Sequence, residues 1–571
     1  MPKNLRIKII LIAALFLILP SISRADYLGQ KASFSIDPSY DLNSRSQITA
    51  TCQKIGSQIY FYIDDSWWNS LDYSQQGEIS SALDSLSGEF SSKIYPTLTS
   101  AFGSPNEPGI DRDVMITVLI HPMIEEAGGY FVLGDGYPKL QSPKSNEREM
   151  FYLNTKYIEE PRAKGFIAHE FMHLITFNQK EILRKVTEDV WLNEAYSEYA
   201  PTLLGYDSVF EGSALQRRIK NFLERPNDSL MGWQNKPYDY GVVNLFTQYL
   251  VDQYGSKILI DAMHSSKIGI SSINEALAKN NFKEDFSQIF TDWTIAVLVN
   301  NCNLNLKYCY LNQNLKNLKV TPLINFLPLV GEGSLIITHR TSDWAGNWQK
   351  IVGGKGDLIL EFDGADEVQF KVPYLVCDLQ EKCTIEFLGL DKEQKGEISL
   401  QEFDKKYTSL TIIPSIQNKI YGFTGLEPFY IFSWKASIVD KTAGGQEELI
   451  AQLLAQIEYL QREIAKVQAQ IAAIQGTVTP ANIPAGFKFE KNLSEGMNDL
   501  NVVYLKIILA REGLVNGLKN NEYFGPQTKT AVILFQERYR ADISAAVGYA
   551  ISASGLVGSG TRAKLNEILL R

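Results

Sequence analysis

The sequence predicts a multidomain protein: an α+β domain, an all-β sandwich-like domain, a coiled-coil helix and a small all-α domain. Three observations lead there. A chain of 571 residues is too long for one hydrophobic core and should hold about three or four domains. The hydrophobic pattern changes from mixed strand and helix to short β runs near Val320, then to a helical seam after "KTAGGQ". A Pro/Gly/Thr stretch, "GTVTPANIPAG", sets off the last ~85 residues as a compact helical unit. Hydrophobic residues at 45% and aromatics at 11% suffice to build these cores. The net charge of −10 argues against nucleic acid and against an anionic membrane surface as partners.

Residues 1–25 read as an export signal. Lys3, Arg6 and Lys8 precede the apolar "IILIAALFLILP", and "SRA" before Asp26 suits cleavage. The apolar run is shorter than the roughly 20 residues a membrane-spanning helix needs. No cysteine follows it to carry a lipid, so a lipid-anchored terminus is not expected and the chain reads as secreted. An exported chain can oxidise its cysteines: Cys302 with Cys309 and Cys377 with Cys383 each close a short loop, leaving Cys52 as a buried or free thiol.

Residues 26–315 form the α+β domain. "QIYFYIDDSWW", "DVMITVLI" and "EREMFYLN" look like strands, and "GEISSALDSLSGEFSSKIYPTLTSAFG" like a helix. From Val186 to about Asn300 the pattern is mainly helical. Strands first and helices later, with few βαβ alternations, suggest α+β.

The chemistry concentrates in "AHEFMHLITFNQKEILRKVTEDVWLNEAYSEYA". His169 and His173 are two of only five histidines, and residues four apart on a helix share a face. Both imidazoles can therefore point at one zinc ion, which commonly takes three protein ligands in a catalytic site and leaves a position for water. Glu194, on the next helix, is the natural third ligand. Glu170 is placed to act as general base toward the activated water. Glu198, one turn beyond Glu194, suits a carboxylate that accepts the free N–H of a ligating histidine. Downstream, Tyr238 and Tyr240 are both phenols available to an oxyanion, or simply aromatic packing.

Residues 316–440 alternate short β runs ("DLILEFDG", "EVQFKVPYLVC", "LTIIPSI", "PFYIFSWKASIV") with turns, as in a sandwich. Within them "DKEQKGEISLQE" mimics a calcium loop through Asp391, Gly396, Ile398 and Glu402. Lys395 at a liganding position and strand-like flanks favour a hairpin turn, so calcium is without support. Residues 446–475 carry Ile450, Leu453, Ile457, Leu460, Ile464, Val467, Ile471 and Ile474 at spacings of three and four, a coiled-coil seam about 40 Å long. It serves a homo-oligomer or a single helix packed on a neighbouring domain; its glutamine flanks do not choose. Residues 476–487 are the linker and 488–571 the small helical domain.

"HEFMHLITFN" followed by "WLNEAYSEYA" resembles the gluzincin zinc metallopeptidases, most closely the hyicolysin-like neutral metallopeptidases. The resemblance covers roughly residues 40 to 300 and implies a zincin-type fold. It favours Tyr238 over Tyr240 for the oxyanion, because aminopeptidase-type relatives place a tyrosine three residues before a glycine, as Tyr238 stands to Gly241. It also implies that the strand before the metal helix, Phe151, Tyr152, Leu153 and Asn154, pairs with extended substrate. The glycine-x-methionine-glutamate-asparagine motif of the aminopeptidases is missing, which points to an endopeptidase. "EYFGPQTKTAVILFQERY" and "GLVGSGTRAKLNEIL" resemble the small peptidoglycan-binding domain of bacterial wall enzymes, with Lys506 where that family usually has glutamine.

The expected function is a secreted bacterial zinc endopeptidase that uses Glu170 as base on a protein or peptide substrate and is held at peptidoglycan by residues 488–571. Hydrolysis of the peptidoglycan stem peptide and an inactive surface scaffold or adhesin are the alternatives.

Overall fold

The computed structural model of the protein describes residues 25–125, 127–328, 333–419, 421–424, 428–439, 461, 483, 487–514 and 522–569. Except for Ala25, Gln461, Ile483 and Phe487, the expected export signal, coiled coil and linker lie outside the described residues. The chain divides into two compact units, residues 1–474 and 475–571. No helix among the described residues is long and apolar enough to cross a membrane.

The first unit opens with β1 (Lys31–Ser35), β2 (Gln47–Ile55) and β3 (Ile59–Asp64). Helix α1 (Tyr73–Glu89) starts at Asp72, whose side chain and that of Gln75 cap each other's backbone, and continues through a π turn into α2 (Tyr95–Phe102). Next come β4 (Ile116–His121), a two-residue β5 (Gly129–Tyr130) and β6 (Met150–Asn154). The six strands form one sheet in the order β1-β2-β3-β4-β6-β5. β3, β4 and β6 run parallel, so a helical crossover does join β3 to β4, more βαβ character than the sequence suggested.

Strict alternation sorts the sheet's two faces. Ile59, Phe61, Ile63, Val118, Ile120, Phe151 and Leu153 enter the large core beneath the helices. Tyr60, Tyr62, Leu119, Met150 and Tyr152 build a second core with β1 and β2 on the other side. Both faces are therefore covered, as parallel strands require.

Helices α3 (Ala163–Thr176), α4 (Val190–Leu203) and α5 (Ala214–Glu224) follow. After a short β7 (Gly232–Trp233) come α6 (Pro237–Tyr254), α7 (Lys257–Met263), α8 (Gly269–Lys279) and α9 (Phe286–Val299). Cys302 is bonded to Cys309 and Cys377 to Cys383, while Cys52 is a buried free thiol.

Beyond α9 lie twelve short strands: β8 (Leu323–Leu327), β9 (Gly333–Ser342), β10 (Gln349–Gly353), β11 (Asp357–Gly364), β12 (Phe370–Lys371), β13 (Pro373–Asp378), β14 (Cys383–Phe387), β15 (Lys395–Leu400), β16 (Tyr407–Ile412), β17 (Ser415–Ile416), β18 (Phe423–Thr424) and β19 (Phe429–Val439). They make a five-stranded sheet, β14-β13-β16-β10-β8, and a four-stranded sheet, β15-β11-β19-β9, around one apolar core. The expected hairpin at Asp391 needs correction. Asp391 Oδ1 accepts the N–H groups of Glu393 and Lys395 at 2.9 Å each, a tight turn, but β15 pairs with β11 rather than with β14. The turn passes the chain from one sheet to the other.

This β region does not stand apart from the helical one. Trp344, Trp348, Leu375 and Ile413 belong to the same core as Trp191, Phe286 and Trp293. Trp348 Nε1 donates to the Thr294 carbonyl at 2.8 Å, and β18 pairs with β7.

The second unit packs α10 (Leu500–Arg511), α11 (Pro526–Arg538), α12 (Arg540–Val547) and α13 (Ser559–Ile568) around Leu493, Leu505, Ile508, Phe524, Phe535, Ile543, Val557 and Leu565. Lys506 is buried and its Nζ donates to the Tyr523 carbonyl at 2.7 Å, so this lysine ties a helix to a loop.

Candidate metal centre

Helix α3 is apolar on most of its surface: Ile167, Phe171, Leu174 and Ile175 fill the core, and the remaining face carries His169 and His173. Their rings lie 5.0 Å apart at 80° to each other. Helix α4 crosses opposite, and its own four-residue repeat presents Glu194 and Glu198 to them. Glu194 Oε2 sits 3.4 Å from His169 Nε2 and 3.8 Å from His173 Nε2. That oxygen is buried and has no hydrogen-bond partner among the described residues. Three donors bonded to one tetrahedral ion at about 2.0–2.1 Å would lie about 3.3 Å apart, so the two nitrogens and this oxygen fit a divalent cation. One donor atom each from His169, Glu170 and His173 also fall within 4.8 Å of one another, so the Glu170 carboxylate faces the same point.

The outer atoms of the histidines are held as well. His169 Nδ1 faces Glu198 Oε1 at 3.4 Å. Glu198 is in turn bound by Arg218 of α5, with Nε to Oε2 at 2.7 Å, and by Asn244 of α6 at 3.1 Å. His173 Nδ1 meets Asn193 Oδ1 at 3.1 Å and Ser197 Oγ at 3.2 Å, and Phe131 stacks on its ring. With Nδ1 of both rings engaged, Nε2 is left for a ligand.

The electrostatics are those of a site short of positive charge. Burial alone would lower the pKa of His169, but Glu194, Glu170 and Glu198 outweigh it and push it up to about 9. Burial raises Glu170 to about 8, with Glu194 and Glu198 adding to the effect. Burial also lowers His173. Glu198 is held below its ordinary value because Arg218 overcomes its burial.

Two sequence expectations need correction. First, β6 is an interior strand: Phe151, Tyr152, Leu153 and Asn154 are all buried, with β4 on one side and β5 on the other. Their backbone is already engaged, and among the described residues the edge of the sheet beside this site belongs to β5. Gly129 of β5 lies against Glu170: a Cβ there would stand 3.1 Å from Glu170 Cγ and 2.6 Å from the Tyr152 carbonyl. Only glycine lets this strand come so close.

Second, the phenol facing the centre is Tyr240, not Tyr238. Burial, followed by the charge of Glu194, raises the Tyr240 hydroxyl well above its ordinary range, and Arg218 lies over its ring at 4.5 Å. Tyr238 instead lies under Arg225 at 4.5 Å. Residues two apart on a helix point about 200° apart, so α6 can offer only one of them. Tyr240 shares its face with Asn244, which binds Glu198.

Sequence reasoning missed Tyr40 and Asn235. Asn235, at φ +57°, accepts a hydrogen bond from Tyr240 Oη at 2.9 Å and donates one to Tyr40 Oη at 3.3 Å. Burial raises Tyr40, which also feels Glu170 and Glu194. Nothing in the local pattern around Tyr40 marks it; the contact spans 195 residues.

No family model matches the chain, and no curated relative does. Among solved structures, that of the infectious bursal disease virus Gx strain is similar at 13% identity and a TM-score of 0.13, over 20% of this chain and 33% of that one. Aeromonas hydrophila PliG, a periplasmic inhibitor of g-type lysozyme, is similar at 11% identity and a TM-score of 0.12, over 20% of this chain and 98% of that one. Neither likeness bears on fold or function.

Proposed function

We propose that the chain is a zinc-dependent endopeptidase, with His169, His173 and Glu194 as metal ligands. The observation that carries the proposal is the unpartnered Glu194 Oε2 set between two Nε2 atoms, 3.4 and 3.8 Å away, with the Glu170 carboxylate alongside. A His₂Glu donor set suits zinc, which supplies Lewis acidity to polarise a carbonyl and to bring a water's pKa near 7.

The chain's own residues do the remainder. Glu170, whose carboxylate lies with the two histidines around one point, is placed to take a proton from water and return it to the leaving amine. Tyr240 can donate its O–H to the oxyanion once substrate displaces Asn235 Oδ1. Glu198 and Asn193 hold the two imidazoles in register. An extended peptide can pair along the outer edge of β5, which among the described residues has only β6 as a strand neighbour. Attachment to peptidoglycan through residues 488–571 belongs to the same proposal and is supported by the motif resemblance of that unit.

Elemental analysis of the purified chain, with digestion of casein and of purified wall, tests the reading. About one zinc per chain and casein cleavage that disappears on chelation or in Glu170→Gln are expected. Cleavage of wall alone would move the substrate to the stem peptide. Bound zinc with no cleavage of either would leave a scaffold.

A further inference from the structure

Two consecutive arginines on α5 have opposite fates. Arg218 is committed to Glu198. The guanidinium of Arg217 makes no hydrogen bond or ion pair with any described residue, although it is only partly exposed. Its one close neighbour of note is the Phe166 ring, with the guanidinium carbon 5.3 Å from the ring centre. Phe166 lies on α3 three residues before His169, on the same helix face. Its ring also fills the space beside β5, since a Cβ on Gly128 would stand 2.4 Å from it. The next residue, Gly129, packs on Glu170. Arg217, Phe166 and Gly128 thus form a partly open wall running from α5 to the base.

The other charges around Arg217 do not neutralise it. Glu198 is engaged by Arg218, and Arg162 is a further cation paired with Glu160. Burial pulls Arg217 down to about 10, whereas Arg218, equally enclosed but paired, is raised. An unpaired guanidinium in a chain of net charge −10 is a costly arrangement unless something anionic comes to it. A guanidinium beside an aromatic ring keeps the planar N–H fork that suits bidentate contact with a carboxylate.

We infer that Arg217 anchors a carboxylate of the bound peptide next to the scissile bond, so that cleavage is directed to sites beside an acidic group. This rests on the peptidase reading above. The carboxylate can come from an Asp or Glu side chain or from the peptide's own C-terminus.

The test uses the zinc-loaded full chain and matched peptides: C-terminally amidated versions bearing Glu, Gln or Lys beside the cleaved bond, and a Gln version with a free terminal carboxylate. In the unaltered protein kcat/KM for Glu should exceed that for Gln by about 10- to 100-fold, the worth of one charge-assisted hydrogen-bonding pair. The ratio should fall to near one in R217Q and turn toward Lys in R217E. If the free-carboxylate peptide gains instead of the Glu peptide, the anchored group is the terminus. Calorimetric binding to the zinc-loaded E170Q chain gives a readout without turnover: Glu should bind tighter than Gln, and adding R217Q should remove the difference. Should R217Q fail to fold, R217K is expected to keep a smaller preference for Glu. Equal treatment of Glu, Gln and the terminal carboxylate by the unaltered protein, or an undiminished ratio in R217Q, overturns the inference. Charge-dependent binding without any cleavage sinks the peptidase reading and leaves the anchor standing.

Discussion

Single side chains decide most of what the proposed metal centre can do, and they differ in how visible they are from the sequence. His169, Glu170, His173, Glu194 and Glu198 were legible because a four-residue spacing on a helix dictates a shared face. The choice between Tyr238 and Tyr240 was not, since it depends on which side of α6 meets α4. Tyr240→Phe should lower kcat about a hundredfold with KM little changed, whereas Tyr238→Phe should leave both near the original values; steady-state kinetics on a peptide substrate checks this. A second residue-scale prediction concerns Glu149, buried beside Gly109 and bonded by Asn106 and the Ile110 N–H at 3.0 to 3.1 Å. Burial lifts its carboxyl to about 7 from an ordinary value of 4.5. An acid raised in this way binds its proton more tightly when folded. Its contribution to stability is therefore full below pH 4.5 and is lost as pH rises through 7. Between about pH 5 and pH 8 the melting temperature of the unaltered protein should fall relative to that of Glu149→Gln by about 2–4 °C, measured by calorimetry.

At the scale of elements, the question is how α3 and α4 are held while a loop of about twenty residues joins their functional groups. Lys180, in the π turn that ends α3, is buried and pairs with Glu188 just before α4, at 2.8 Å. Its ammonium also donates to the carbonyls of Ala262 and Lys267, at 2.7 and 2.8 Å. Glu188 accepts the Gly269 N–H at 2.7 Å, so one ion pair ties the loop to the segment between α7 and α8. Lys180→Met would strand a buried carboxylate. A loss of about 3–5 kcal/mol in denaturant unfolding is expected, together with weaker zinc binding in a competition titration. None of this was visible beforehand, because a lysine in "NQKEIL" looks like an exposed helix residue. β5 was hidden for another reason. Two residues next to a glycine give no alternation to read, so the sequence offered only Phe151 to Asn154 as the strand to pair with substrate.

Across the whole molecule, the helical and β regions of the first unit share a core through Trp344 and Trp348, while residues 475–571 have a core of their own. A chain ending at residue 315 should therefore be insoluble or lack a cooperative transition, since Phe286 and Phe290 lose the Trp344 ring and the Thr294 carbonyl loses Trp348. A fragment of residues 475–571 should melt cooperatively with helical circular dichroism. Composition and periodicity by themselves determined that there are several layers of structure, where the β region begins, and which five residues can gather at one point. Those follow from local rules, because helix and strand geometry carries a side chain's direction along the backbone. Only the tertiary structure decided which phenol lies beside Glu194, which strand has an open edge among the described residues, and that the β region completes the helical core. It alone left Arg217 without a partner among the described residues, because contacts between segments far apart in the chain are set by packing, and no local repeat encodes them.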